Sequence, residues 1–139
     1  MSFKGNHTMK TLPRTLATIQ VLPHHNQRYD TVGDYYRDEY GELIVRVSDM
    51  GNDKLVWLVA IHGLIEVLIC EHDGVKEKDI TKFDIAFEKA RKPGNTDEPG
   101  DDEKAPYRKQ HLIATAVEKL LCAELGVSWK AYDDAVNAL

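Results

Sequence analysis

The sequence is short of several things, and each shortage closes a class. Only two of its 139 residues are cysteine, so no disulfide framework is expected and both thiols read as free. Its 18 Lys and Arg against 23 Asp and Glu leave a formal net charge of −5. Without a basic surplus to displace phosphate counterions, general nucleic-acid binding is not expected. There is no glycine-rich phosphate loop, no nucleophile elbow and no CxxC pair, which removes three common catalytic signatures. No apolar run reaches the roughly 20 residues of a membrane span. The longest, Leu55 to Cys70, has 16 residues and is broken by His62, Gly63 and Glu66. The opening MSFKGNHTMKTL has no apolar centre of the secretory kind. These absences together lead to the expectation of a cytoplasmic chain with no membrane partner.

What is present fits one domain. The length suffices for one core and is short for two, and a hydrophobic share of 42% is that of a globular chain. Residues 1–14 read as a flexible leader and 15–139 as a single domain. Ala17, Ile19 and Val21 alternate as in a strand. Asp38-Glu39-Tyr40-Gly41 is turn-like and sits between Tyr35-Tyr36 and a second alternating run, Leu43, Val45 and Val47, which reads as a hairpin. The expected class is therefore α+β: a small N-terminal antiparallel sheet followed by about four helices. A helix over 53–73, stopped by Gly74, is central. A second holds Ile80, Phe83, Phe87 and Ala90 on one stripe. Residues 92–105, with two Pro-Gly pairs and a cluster of acids, form a loop. A third helix begins near Pro106 and ends before Gly126, and a fourth starts at Ser128.

A short echo joins the two halves of the helical region. Glu66, Cys70 and Gly74-Val75 recur at the same spacing as Glu118, Cys122 and Gly126-Val127, each followed by an aromatic-acid pair, Phe83-Asp84 and Tyr132-Asp133. It suggests two helical hairpins related by an approximate twofold.

The chemistry concentrates in helix 53–73. It is apolar on nearly every side, as a buried helix is, yet it carries His62 and Glu66 four residues apart on one face, with Asp73 further along the same stripe. A buried carboxylate costs several kcal/mol unless paired or bound to a cation. Three partners are open: the two residues with each other or with an arginine or lysine, a metal ion, or the ligand of a metal-free pocket. An imidazole and a carboxylate at this spacing suit a metal. Helix pairs in bundles build such sites from facing side chains, which adds His111 and Glu118 as ligands. Two histidines favour zinc, manganese, iron or nickel over magnesium. Asp84 or Asp101 would accept the proton of a metal-bound water. On the third helix, however, Leu112, Ile113, Ala116, Val117 and Leu120 form the obvious core face. His111, Thr115, Glu118 and Cys122 lie opposite, so only a second covered layer or a subunit interface would bury them. His72-Asp73, Arg108 and His24-His25 are read as ordinary surface or loop residues.

The stretches RYDTVGDYY, LVAIHGLIEVLIC and PGDDEKAPYRKQHLIATAVEKLL resemble small phage and prophage proteins whose central helix reads H-E-x-x-E. The resemblance covers most of residues 28–133 and implies a phage-encoded cytosolic protein without naming a reaction. Here Gly63 stands where the pattern has its first glutamate, so a general base at that position is lacking and the resemblance implies metal binding by His62 and Glu66 without implying catalysis. The favoured expectation is a metal-binding protein, with hydrolysis of a phosphoester or nucleotide as its activity. The rival is a non-catalytic binding protein that sequesters a small molecule or inhibits a host protein. A third expectation is a homo-oligomer whose His–Glu pairs are buried ion pairs.

Overall fold

A computed structural model describes residues 12–139. The leader expected over 1–14 lies outside the described residues except for 12–14. Three strands, β1 (Ala17–Leu22), β2 (Gly33–Arg37) and β3 (Leu43–Ser48), precede four helices, α1 (Asp53–Asp73), α2 (Glu77–Ala90), α3 (Arg108–Glu124) and α4 (Trp129–Asn137). The α+β class and the helix count are as expected.

β2 and β3 form the antiparallel hairpin, with Tyr35 opposite Val45. Its turn is held by Asp38, whose Oδ1 accepts from the amides of Tyr40 and Glu42 at 2.9 Å each. β1 joins the other edge of β3 in parallel, Ala17 opposite Leu43, so the sheet order is β1-β3-β2 and the sheet is mixed rather than wholly antiparallel. The chain leaves β1 through a short turn at His24–Asn26, crosses to the far edge, and returns along the hairpin. Leu43, Val45 and Val47 point into the main core with Val56, Leu58, Val59, Ala60 and Val67 of α1, which is the alternation the sequence displays.

α1 begins on Asn52, whose side chain accepts from the Lys54 amide, and ends on Gly74 in the left-handed region at φ 76°. It packs against β2 and β3 on one side and along α3 on the other. α3 runs antiparallel to it: Asp73 at the end of α1 meets Gln110 at the start of α3, and His62 meets Glu118 further along. α1 is therefore sandwiched along two sides, which accounts for its buried apolar residues, while Trp57 and Leu68 face outward at 55% and 70% exposure. By length and composition it is the one described helix apolar enough to cross a bilayer. Its contacts are those of a core helix.

The core face expected for α3 is overturned. Leu112, Ile113 and Leu120 are exposed, whereas Gln110, His111, Ala114, Glu118 and Cys122 are buried. The helix turns its more polar side inward because that side meets His62 and Glu66 of α1, whose burial requires polar partners. The covered layer that burial demanded is the α1–α3 contact within one chain.

Candidate metal centre

The site starts from helix periodicity. One turn separates His62 from Glu66, so both project from the same face of α1, and the antiparallel α3 brings His111 opposite them. Glu66 Oε2 lies 2.8 Å from His62 Nε2 and 3.0 Å from His111 Nδ1, and the two nitrogens are 3.2 Å apart. Ligand atoms held at right angles on one ion with bonds of about 2.1 Å stand about 3 Å apart. The triangle has that size, so the residues fit a small transition metal as they stand.

Glu118, expected as a fourth member of the set, stands on the far side of His62. Its Oε1 lies 2.8 Å from Nδ1, the ring nitrogen turned away from Glu66, and its Oε2 accepts from the Tyr132 hydroxyl. Glu66 is braced in the same manner, with Oε1 accepting from the Tyr35 hydroxyl at 2.7 Å. Burial pushes the titration of both phenols upward, so each stays protonated and donates.

His111 has a different second side. Its Nε2 is approached by Glu98 Oε2 at 3.0 Å and Asp101 Oδ1 at 3.2 Å, yet neither lies in hydrogen-bonding direction, and this buried nitrogen has no hydrogen-bond partner. The pair comes from the loop expected over 92–105, which folds at Pro99–Asp101 into a single 3-10 turn.

Asp84, on α2, enters the same cavity. Its Oδ1 accepts from the Tyr107 hydroxyl at 2.5 Å and its Oδ2 from the Tyr29 hydroxyl at 3.1 Å. Burial outweighs those hydrogen bonds and pushes its carboxyl up to about 6. Asp101 does not line the cavity, and Asp73 is held outside it by Gln110. Gly63 does line it, and a Cβ there would make only ordinary contacts, 3.7 Å to Val45 Cγ1 and 3.8 Å to Tyr35 Cδ2.

The cavity has a volume of about 290 Å³. Among the described residues no lysine or arginine pairs with Glu66 or Glu118; their charged neighbours are His62 and His111. The one arginine of the cavity wall, Arg91, is engaged by Glu88 and by the carbonyls of Asn95 and Asp97. Burial pushes His62 down, but hydrogen bonds to Glu118 and Glu66 raise it to about 10. Burial likewise pushes Glu66 up, but hydrogen bonds from His111 and His62 hold it near 2. Without an ion, protons on the imidazoles supply the positive charge that the carboxylates need.

Sequence reasoning did not reach the four phenols, Tyr29, Tyr35, Tyr107 and Tyr132, nor Glu98. The tyrosines carried a signal: a tyrosine in a buried position needs a partner for its hydroxyl, and buried carboxylates were the acceptors on offer. Searches against family models, curated proteins and solved structures return no match for this chain.

Proposed function

We propose that the protein binds one divalent ion of the zinc, manganese, iron or nickel type through His62 Nε2, Glu66 Oε2 and His111 Nδ1. We further propose that the ion serves hydrolysis of a phosphoester or nucleotide. The observation that supports this most is the triangle itself: three donors from two helices, 2.8 to 3.2 Å apart, with no lysine or arginine among their partners.

Three protein ligands leave coordination positions free for water and substrate, and an ion so placed lowers the pKa of its water toward neutrality. Glu118 is assigned a positioning role, since it accepts the Nδ1 proton of His62 and leaves Nε2 free for the ion. A carboxylate behind a ligating histidine is a recurrent arrangement and raises the ligand's basicity. Asp84 is the proton acceptor, for it faces the cavity and titrates near the working range of a general base. Asp101, the other candidate acceptor, faces His111 Nε2 rather than the inner triangle, and we assign it no part in that step. A phosphoester entering this acidic cavity would carry its charge on the metal. Cytosolic residence and a phage origin, which the sequence resemblance implies, belong to the same proposal.

Metal analysis of protein purified without a polyhistidine tag tests the reading. One tightly held ion per chain is expected to survive dialysis against a chelator, and that tight binding is lost in His62→Ala and in Glu66→Gln. Glu118→Gln should keep the ion with affinity reduced about 10–100-fold. A chain that takes up no zinc, manganese, iron or nickel overturns the proposal. A thermal shift with a nucleotide on such metal-free protein would favour the non-catalytic ligand-binding alternative.

A further inference from the structure

The outer side of His111 holds an arrangement that the inner triangle does not use. We infer that Glu98, Asp101 and His111 Nε2 form a second site for a divalent cation, through which the ion passes to the inner centre. The second half of this inference rests on the metal reading above; the existence of the outer site does not.

Two independent observations carry it. The three donors lie within 4.8 Å of one another, with both carboxylate oxygens close to one nitrogen. That nitrogen is buried, its residue is 4% exposed, and it lacks a hydrogen-bond partner. An unsatisfied buried polar atom is rare in a native fold and calls for a missing partner. A proton on Nε2 stands close to both carboxylates but out of hydrogen-bonding direction, whereas a cation between them needs no N–H direction and uses the lone pair. The carboxylates are about half exposed, at 46% each, while the imidazole side chain is 5% exposed. The site is therefore open to solvent on its acidic side and closed on its imidazole side, as an entry position must be.

The imidazole ring connects the two positions. A neutral histidine has one lone pair and one N–H. With the ion on Nε2, the proton resides on Nδ1, where Glu66 Oε2 accepts it at 3.0 Å. With the ion at the inner centre, Nδ1 supplies the lone pair and the proton resides on Nε2, facing Glu98 and Asp101. At His111 one proton leaves one nitrogen and one is regained at the other. His62, protonated while the inner centre is empty, gives up its Nε2 proton to solvent as the ion arrives, so inward transfer releases one proton. The two positions fill alternately.

Cobalt(II), visible by its ligand-field absorption, is the probe, with uptake followed by stopped-flow and stoichiometry by metal analysis. His62→Ala removes an inner ligand and should retain one weakly held cobalt per chain, lost when Glu98→Gln and Asp101→Asn are added. If His62→Ala does not fold, Glu66→Gln, which keeps the side-chain volume, serves in its place. In the otherwise unaltered chain, Glu98→Gln with Asp101→Asn should slow cobalt loading by about tenfold while one ion per chain still binds. A merely orienting role for the two acids would instead weaken affinity through faster release, by about 10–100-fold. The inference is overturned if the folded inner-site variants bind no cobalt, or if the Glu98/Asp101 variant loads at the unaltered rate. Either result, with one ion still bound by the unaltered chain, leaves the inner centre standing. If the inner-site variants hold cobalt at Glu98 and Asp101 while the unaltered chain holds its ion only there, the inner centre fails and the outer site survives.

Discussion

At Gly100 the backbone of the 99–101 turn presses on the ring of His111. A Cβ there would lie 2.3 Å from the ring Cγ and 2.4 Å from Nδ1, so alanine would displace the imidazole rather than fit beside it. Gly100→Ala is expected to fold and to bind metal about 10–100-fold more weakly, a loss of the size seen when a ligand's support is removed; isothermal titration with zinc and a circular-dichroism melt measure the two together. The same ligands set the acid–base behaviour of the metal-free chain. The pKa of His62 is raised to about 10, so its contribution to stability is complete below its unfolded value of about 6.5 and is lost as pH rises through 10. Glu66 is lowered to about 2, so its contribution is complete above its ordinary value near 4.5 and is lost as pH falls through 2. Urea unfolding of metal-free protein should therefore show its highest midpoint between about pH 4.5 and 6.5. His62→Asn should flatten the alkaline limb and leave much of the acid one. A maximum displaced to pH 9 would contradict the charged-imidazole picture.

Among the elements, those whose signals are local were legible in the sequence. α1 spans 53–73 and stops at Gly74 as expected, since a C-terminal glycine acts through its own turn. The echo between the halves is also structural. The Val75 amide donates to the Cys70 carbonyl and the Val127 amide to the Cys122 carbonyl, both at 2.9 Å. Gly74 and Gly126 both take positive φ, 76° and 66°. Glu66 and Glu118, one turn before each cysteine, both enter the site and both accept from a tyrosine. Gly74→Ala and Gly126→Ala should each cost about 1–2 kcal/mol, the penalty of the left-handed region for a residue with a Cβ. Equal losses in denaturant midpoint are expected, since no neighbour lies within 4 Å of either added Cβ. What sequence reading missed depends on the neighbour across the gap. The face that α3 buries was misjudged because hydropathy alone ranks Leu112, Ile113 and Leu120 above His111 and Glu118. The direction of β1 was missed because an alternating run pairs equally well in either sense, and only the route through 23–32 decides it. Glu98 was unseen because an acid in a loop looks solvated until the loop folds back onto a histidine.

For the molecule as a whole, α3 is turned against the usual order, with leucines outward and imidazole and carboxylate inward. Burying charges is weak support for stability, and apolar groups of similar volume often serve a fold as well or better by about 1–4 kcal/mol. The cluster should therefore be dispensable for folding and indispensable for metal. Replacing all its charged members at once, His62→Leu, Glu66→Met, His111→Leu and Glu118→Met, removes the charges together. Tyr35→Phe and Tyr132→Phe, added to these, remove the two hydroxyls that would lose their acceptors. The sixfold variant should unfold at a denaturant concentration no lower than metal-free unaltered protein and bind no ion. Glu66→Ala alone strands two imidazoles and a phenol and should cost about 3–5 kcal/mol, as breaking a buried pair does. Were the sixfold variant the less stable of the two, the His–Glu pairs would be structural ion pairs, and the metal reading would lose the reason for their burial.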